Sequence, residues 1–288
     1  MNKSAEAERF SSSFILHPSS FRRPAVMGIL NITPDSFSDG GVHLDHSAAL
    51  HAAMQMEEDG AAMLDVGGES TRPGADPVSV DEELARVIPV IEQIRRRSAI
   101  PISIDTMKSA VARAAIDAGA TAINDVTAMR HDPAMRALAA ERDVDVILMH
   151  MRGEPRTMQT NIHYDEVVTD VARELADFRD AAIAAGIARA RIFVDPGIGF
   201  GKTFEHNLAL LARAKELRDI APLVIGASRK AFIGHLTGRA SGPERRFGSL
   251  AAISAAARAG AAMVRVHDVG ETVDFLKVWA AIEEHRAG

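Results

Sequence analysis

The sequence predicts one (β/α)8 barrel, with residues 1–23 as an N-terminal extension and residues 24–288 as the barrel. Three observations predict it. Eight short apolar runs alternate with helical segments from Ala25 onward. Hydrophobic residues make up 47% of the 288-residue chain but aromatics only 5%, so the core is aliphatic, as suits a parallel sheet buried on both faces. No linker or shift in composition divides the chain after residue 25, and a barrel of roughly 250 residues folds as one domain. A doubly wound open sheet is the second topology that such a series allows.

The predicted strands are Val26–Leu30, Ala61–Val66, Ile100–Ile104, Ala122–Ile123, Val144–Met149, Ile192–Val194, Leu223–Ile225 and Met263–Val266. Each has strand length and is bounded by turn residues. Between them lie helices with readable ends. Ser47–Asp59 stops at Gly60, Lys108–Ala118 at Gly119 and Asp165–Ala185 at Gly186, each glycine placed as a C-terminal cap. Another helix opens on Asp81-Glu82-Glu83 and closes on Arg95-Arg96-Arg97, matching the helix dipole, and the arginines read as a solvated end. Met54, Met56, Met63 and Trp279 read as packing residues, and His43, His46, His51 and His163 as surface or loop residues.

Composition excludes several classes. A net charge of −6, from 33 basic and 39 acidic residues, opposes broad nucleic-acid binding. Cysteine is absent, which removes disulfides, thiolate metal sites and thiol nucleophiles. No apolar run reaches the roughly 18 residues that span a bilayer. The only apolar cluster in Met1–Arg23 is Phe14-Ile15-Leu16, too short for a signal peptide, and the expected location is cytoplasmic.

In such a barrel chemistry sits at the C-terminal ends of the strands. Here those ends carry Asn31, Asp65, Asp105, Asn124, His150 and Asp195, then Ser228-Arg229-Lys230, then Arg265 and His267. Any one alone is explained as a turn residue. All eight together encircle one mouth. Asp105, Asn124, Asp195 and Lys230 suit a planar heterocycle with an amidine edge, because a carboxylate accepts two parallel N–H bonds from such an edge. Asn31, Thr71, Arg72, Arg265 and His267 suit an anion, with an asparagine oxygen able to hold a hard metal. Asp65 is balanced between bracing a loop and taking part in chemistry.

Known motifs fail at informative places. Gly197-Ile198-Gly199-Phe200-Gly201-Lys202-Thr203 ends like a phosphate loop, but Pro196 stands where that loop needs glycine. Lys202 likewise breaks the dinucleotide fingerprint, and Gly226-Ala227-Ser228-Arg229-Lys230 lacks the second glycine of a nucleophile elbow. The stretch 197–201 reads instead as a flexible loop over the mouth.

At longer range the sequence resembles the dihydropteroate synthase family. The segments Met27–Gly41, Leu64–Gly74, Ser103–Thr106, Ile123–Val126, Asp195–Lys202, Gly226–Lys230 and Arg265–Asp268 follow the family's motifs in order. The resemblance implies a pterin-binding barrel, usually a homodimer and a sulfonamide target. It implies that Mg2+ is needed to join 6-hydroxymethyl-7,8-dihydropterin diphosphate to 4-aminobenzoate. By the same resemblance Asp105, Asn124, Asp195, Lys230 and Arg265 bind the pterin. Asn31, Thr71, Arg72, Arg265 and His267 hold the diphosphate, with Asn31 on the metal. Thr71, Phe37, Phe200, Ser228 and Lys230 border the aminobenzoate. Asn31, Asp39, Asp105, Lys230, Arg265 and His267 form the catalytic set, and the loops carrying Phe37-Ser38-Asp39 and Phe200 close over the substrates. One departure is Asn161-Ile162-His163-Tyr164, where family members often have proline. Two rival readings are a methyltetrahydrofolate-binding methyltransferase, which would be corrinoid-dependent, and a non-catalytic pterin-binding paralogue, which would have lost a site residue.

Overall fold

A computed structural model describes residues 23–32, 42–71, 74–154, 156–240 and 242–287. The predicted extension, apart from Arg23, lies outside the described residues, as do Phe37, Asp39 and Arg72.

The described strands and helices alternate: β1 (Ala25–Asn31), α1 (Val42–Glu58), β2 (Met63–Gly67), α2 (Val80–Arg95), β3 (Ile102–Asp105), α3 (Ser109–Asp117), β4 (Ala122–Asp125), α4 (Ala134–Arg142) and β5 (Asp145–Met149). They continue with α5 (Val167–Ala184), β6 (Ile192–Asp195), α6 (Phe204–Ala212), β7 (Val224–Ile225), α7 (Ala231–Thr237), α8 (Arg246–Ala259), β8 (Met263–Val266) and α9 (Val269–Ala287). The strands are parallel in the order β6-β5-β4-β3-β2-β1-β8-β7. A parallel bridge between Val194 and Leu223 joins β6 to β7 and closes the ring. The barrel is therefore the first predicted topology rather than the open sheet.

Every predicted strand is present. The glycine stops also hold: Gly60, Gly119 and Gly186 have φ of 97°, 115° and 98°, a conformation that costs other residues a steric clash. One unit differs from the sequence expectation, because β7 is followed by two helices. Gly238 ends α7 in the left-handed region, and a short turn at Gly242–Arg245 restarts the chain as α8.

The barrel interior is plugged at its base by Met27, Met63, Ala122, Ile147, Phe193, Val224 and Met263. Two larger apolar shells lie between strands and helices, one around Val171, Leu210 and Leu276, the other around Ile91, Ile104 and Leu138. Together they make a rigid cup whose upper rim is the strands' C-terminal ends.

Two expectations need correction here. His46 is buried rather than on the surface. Arg95 is not a solvated charge, because its guanidinium donates to the carbonyls of Ser98 and Gly119 and ties the end of α2 to the end of α3.

Candidate active site

The strand register puts the polar rim residues side by side. Asn31 lies opposite Gly67, Gly67 opposite Asp105, and Asp105 opposite Asn124. Small residues alternate with functional ones, so the side chains have room to converge.

The centre of the cup is a charge cluster. Arg265 reaches across from β8, its Nε donating to Asp65 Oδ2 and its Nη2 to Asp105 Oδ2 at 2.7 Å. Asn124 Nδ2 donates to the same Asp65 oxygen at 3.1 Å. Asp65 is completely buried, and its Oδ1 has no hydrogen-bond partner among the described residues. Ser103 Oγ, on the facing register position, is likewise without one. One guanidinium thus serves two buried carboxylates. Burial raises the Asp105 pKa, Arg265 opposes the rise, and the neighbouring Asp65 adds to it. The balance between bracing and chemistry at Asp65 resolves to orienting Arg265 and Asn124.

Asp195 stands on the opposite wall. Its Oδ1 accepts from the Gly197 N–H at 2.7 Å. Its other oxygen lies 3.6 Å from where a Cβ on Gly226 would stand, and Arg265 flanks the same spot. Burial raises the Asp195 pKa, opposed by the Gly197 N–H and by the charges of Lys230, Arg265 and Lys202. Lys230 places its Nζ 4.2 Å from the centroid of the Phe200 ring, a cation–π contact.

Ser228 and His267 face each other on the β7 and β8 loops. Ser228 Oγ accepts from the His267 N–H at 3.2 Å and lies 3.0 Å from its Nδ1. Burial, with Arg229 and Arg265 close by, pushes the His267 imidazole down to about 3, so it is neutral at pH 7. Arg229 has φ of 58° and pairs bidentately with Asp268, which turns its two neighbours, Ser228 and Lys230, toward the site. Asn31 and Thr71 are half-buried on the β1 and β2 side of the rim.

Asp105, Asn124, Asp195, Lys230 and Arg265 therefore share one mouth, with Ser228 and His267 beside them. His150 does not join them. It is completely buried, with Nδ1 3.1 Å from Lys202 Nζ and Nε2 2.9 Å from Glu174 Oε2 on α5, so it points outward from the barrel. Nor is the 197–201 stretch a loose flap. Gln159 Nε2 donates to the Gly199 carbonyl at 2.8 Å, Tyr164 Oη to the Gly201 carbonyl at 3.0 Å, and the Gly199 N–H to Asn207 Oδ1 at 2.6 Å. A Cβ on Gly197 would stand 2.0 Å from the His150 carbonyl oxygen, so the loop is packed directly on β5. The departure from the family at 161–164 touches this loop through Tyr164.

A second buried cluster escaped the sequence reading. Lys108 pairs with Glu69 and with Glu83, the latter at 2.6 Å. Glu69 Oε1 also accepts from the Val78 N–H at 3.2 Å, and Arg86 Nη1 donates to the Gly68 carbonyl at 2.7 Å. These contacts fasten both ends of the loop that carries Thr71 and Arg72. The only sequence signal was the presence of Glu69 within the second motif.

Among the described residues no group of three or more acidic or histidine side chains is placed to hold a metal. Asn31 offers a single hard oxygen. That fits Mg2+, which binds through one or two protein oxygens together with substrate phosphates and keeps several waters.

The comparisons agree with this geometry. The family described as pterin binding enzyme matches residues 27–267. A dihydropteroate synthase from Neisseria meningitidis serogroup B is 49% identical over 266 residues, covering 90% of this chain and 93% of the relative. The Xanthomonas albilineans dihydropteroate synthase solved with 4-aminobenzoic acid superposes with a TM-score of 0.86 at 50% identity, covering 91% of this chain and 94% of that one. The Yersinia pestis dihydropteroate synthase solved as a sulfonamide drug complex gives 0.86 at 44% identity, covering 92% and 96%. With its closed barrel, its carboxylate–amide–lysine rim and these relatives, the chain belongs to the dihydropteroate synthase family of pterin-binding enzymes.

Proposed function

We propose that this chain condenses 6-hydroxymethyl-7,8-dihydropterin diphosphate with 4-aminobenzoate to give 7,8-dihydropteroate and diphosphate, a transferase step of folate biosynthesis. The observation that carries the reading is the convergence of Asp105, Asn124, Asp195, Lys230 and Arg265, distant in sequence, at one barrel mouth.

The chemistry is a dissociative substitution. The bond from the pterin's methylene carbon to the diphosphate oxygen breaks first, and its electron pair leaves with the diphosphate. The ring system spreads the positive charge. The aromatic amine then supplies the pair for the new C–N bond and loses a proton. Asp195 accepts the amidine edge of the ring, while Asn124 and Lys230 meet its remaining polar atoms. Asp105 and Asp39, the latter outside the described residues, supply negative charge near the cation. Arg265, His267, Thr71, Arg72 and Asn31 face the leaving group. The neutral His267 serves there as an N–H donor rather than as a cation. A preplaced donor toward developing charge is worth roughly 3–4 kcal/mol of barrier. Thr71, Phe37, Phe200, Ser228 and Lys230 border the aminobenzoate. Asn31 would hold Mg2+, which when bound would supply Lewis-acid neutralisation of charge on the leaving group.

In the ligand-free cup Arg265 is held by Asp65 and Asp105, so grasping the diphosphate means exchanging a carboxylate for a phosphate partner. That exchange keeps the buried cation paired. Sulfonamides, which carry the same aromatic amine as 4-aminobenzoate, are expected to compete with it. Exposed Leu236, Phe247, Val278 and Ile282 on α7, α8 and α9 support a homodimer, which light scattering tests. We place the chain in the cytoplasm because a diphosphate ester is too highly charged to cross a bilayer unaided, and cell fractionation tests this.

The deciding experiment mixes purified protein with the pterin diphosphate and 4-aminobenzoate, with and without Mg2+. Dihydropteroate forming only with the metal is the expected result. No product in either mixture refutes the activity.

A further inference from the structure

We propose that Lys202 is a positioning residue for the aminobenzoate side of the site, holding Phe200 in place through its backbone carbonyl. The inference rests on the reading of Phe200 given above.

Lys202 is buried at 3% exposure, yet among the described residues no carboxylate is bonded to it, and the charges of Asp195 and Glu174 act from further off. Its ammonium makes three contacts, to the Phe200 carbonyl at 2.9 Å, His150 Nδ1 at 3.1 Å and the His150 carbonyl at 3.3 Å. When Lys202 is the ammonium it has three N–H donors and no acceptor, and His150 Nδ1 then accepts. The imidazole proton then sits on Nε2 and is donated to Glu174 Oε2 at 2.9 Å. Glu174 is fixed in turn by Arg152 Nε at 3.0 Å. The chain Lys202–His150–Glu174–Arg152 has one consistent set of proton positions. Burial keeps His150 neutral by pushing it down to about 4, and the nearby Lys202 adds to that depression.

This arrangement is costly. A buried cation whose direct partners are all neutral pays most of its desolvation unaided, and burial pushes Lys202 down to about 7. An apolar side chain of the same length would fill the space more cheaply. What the lysine supplies is direction. It gathers carbonyls from two chain segments, at Phe200 on the β6 loop and at His150 on the β5 end. Gln159 and Tyr164 hold Gly199 and Gly201 on either side of Phe200, and only Lys202 among these three bonds the Phe200 carbonyl itself. The Phe200 ring is thereby set against Lys230 Nζ. Without the Lys202 contact, the Phe200 carbonyl loses its side-chain donor, and the ring is left to the Phe200 N–H bond to the Gly197 carbonyl and its packing against Met149, Met151 and Met158.

The test measures kcat and both KM values on the full-length chain carrying Lys202→Met, Lys202→Gln, Phe200→Ala, or Lys202→Met with Phe200→Ala. Lys202→Met is expected to raise KM for 4-aminobenzoate roughly ten-fold, the loss of one charged hydrogen bond, while KM for the pterin diphosphate stays within about two-fold. Phe200→Ala should do the same, and the double variant should be no worse than Phe200→Ala alone, because both act through one ring. Lys202→Gln, which keeps N–H donors toward the carbonyls, should recover much of the loss. If circular dichroism shows that Lys202→Met does not fold, Lys202→Leu replaces it in the cycle with Phe200→Ala. An unchanged KM, effects that add, or equal losses for both substrates overturn the inference. A wild-type chain that makes no dihydropteroate refutes the function and this inference together; an active wild type with additive variants refutes this inference alone.

Discussion

Lys108→Met is the sharpest test of how the loop after β2 is held. The Lys108 ammonium sits between Glu69 and Glu83, and the Glu83 side chain is completely buried. Burial works to lower the Lys108 pKa, but hydrogen bonds and charge from the two carboxylates outweigh it and hold the ammonium above its ordinary value of 10.5. At 2.6 Å the Glu83 contact is worth about 6 kcal/mol at an effective dielectric of about 20, before desolvation is subtracted. Methionine keeps the stem and removes the charge, leaving two carboxylates together in a dry pocket. Stripping one partner from a buried ion pair typically costs about 3–5 kcal/mol. With a urea slope of about 3 kcal/mol/M, the unfolding midpoint should fall by roughly 1–1.7 M at pH 7. The sign with pH follows from linkage. The wild-type contribution of a raised lysine is fully present below 10.5 and fades only as pH rises through the folded value. Adding Glu69→Gln and Glu83→Gln to Lys108→Met should recover more than half of the loss, since a neutral trio leaves no bare charge. A midpoint equal to wild type in Lys108→Met, or no recovery in the triple variant, would refute the electrostatic argument.

Other expectations follow from the same geometry. Asp195→Ala should abolish pterin binding by isothermal calorimetry, because the amidine edge loses its bidentate acceptor; wild-type affinity would contradict the assignment. Arg265→Ala should slow diphosphate release by roughly 100-fold or more. It should also lower the unfolding midpoint, because Asp65 and Asp105 lose their shared cation; normal release from the folded variant would count against the role. His150 is held down at about 4 against an ordinary 6.5, so between those values the unfolded chain binds more protons there and stability rises with pH. His150→Gln should remove that increment, making the wild-type advantage grow from pH 4 to pH 6.5 in urea titrations; a pH-independent difference would sink the proton assignment.

The fold was legible because it is written in local signals. Eight apolar runs, glycines at three helix ends and a polar residue at each strand's exit are properties of short windows, and a closed parallel sheet is what such a series can build. The rim of the site was legible for the same reason, since a strand's C-terminal end is a position in sequence. Direction was not. His150 exits β5 in the manner of Asp195 on β6, yet it turns outward to Glu174, and nothing in its neighbours along the chain says so. The Gly-rich run 197–201 looked loose because glycine frees a backbone; here the glycines let the loop press on β5, and side chains from 159, 164, 202 and 207 then fasten it. The partners of Asp65 and Lys108 were hidden because both ion pairs join residues far apart in the chain, and composition cannot show which charges meet.

What the sequence conceals also explains how the cup remains stable without substrate. Its two central carboxylates would repel each other if left alone, and Arg265 would be a bare buried cation. Each half of that mismatch satisfies the other. A diphosphate entering the cup competes for the same guanidinium, and when Arg265 turns toward it the Asp105 carboxylate, its pKa already raised by burial, gives up one of its partners. The charge balance within the cup and the binding of an anionic leaving group are therefore one equilibrium. Substrate affinity should weaken as pH rises through the Asp105 pKa, because the carboxylate then holds Arg265 more tightly.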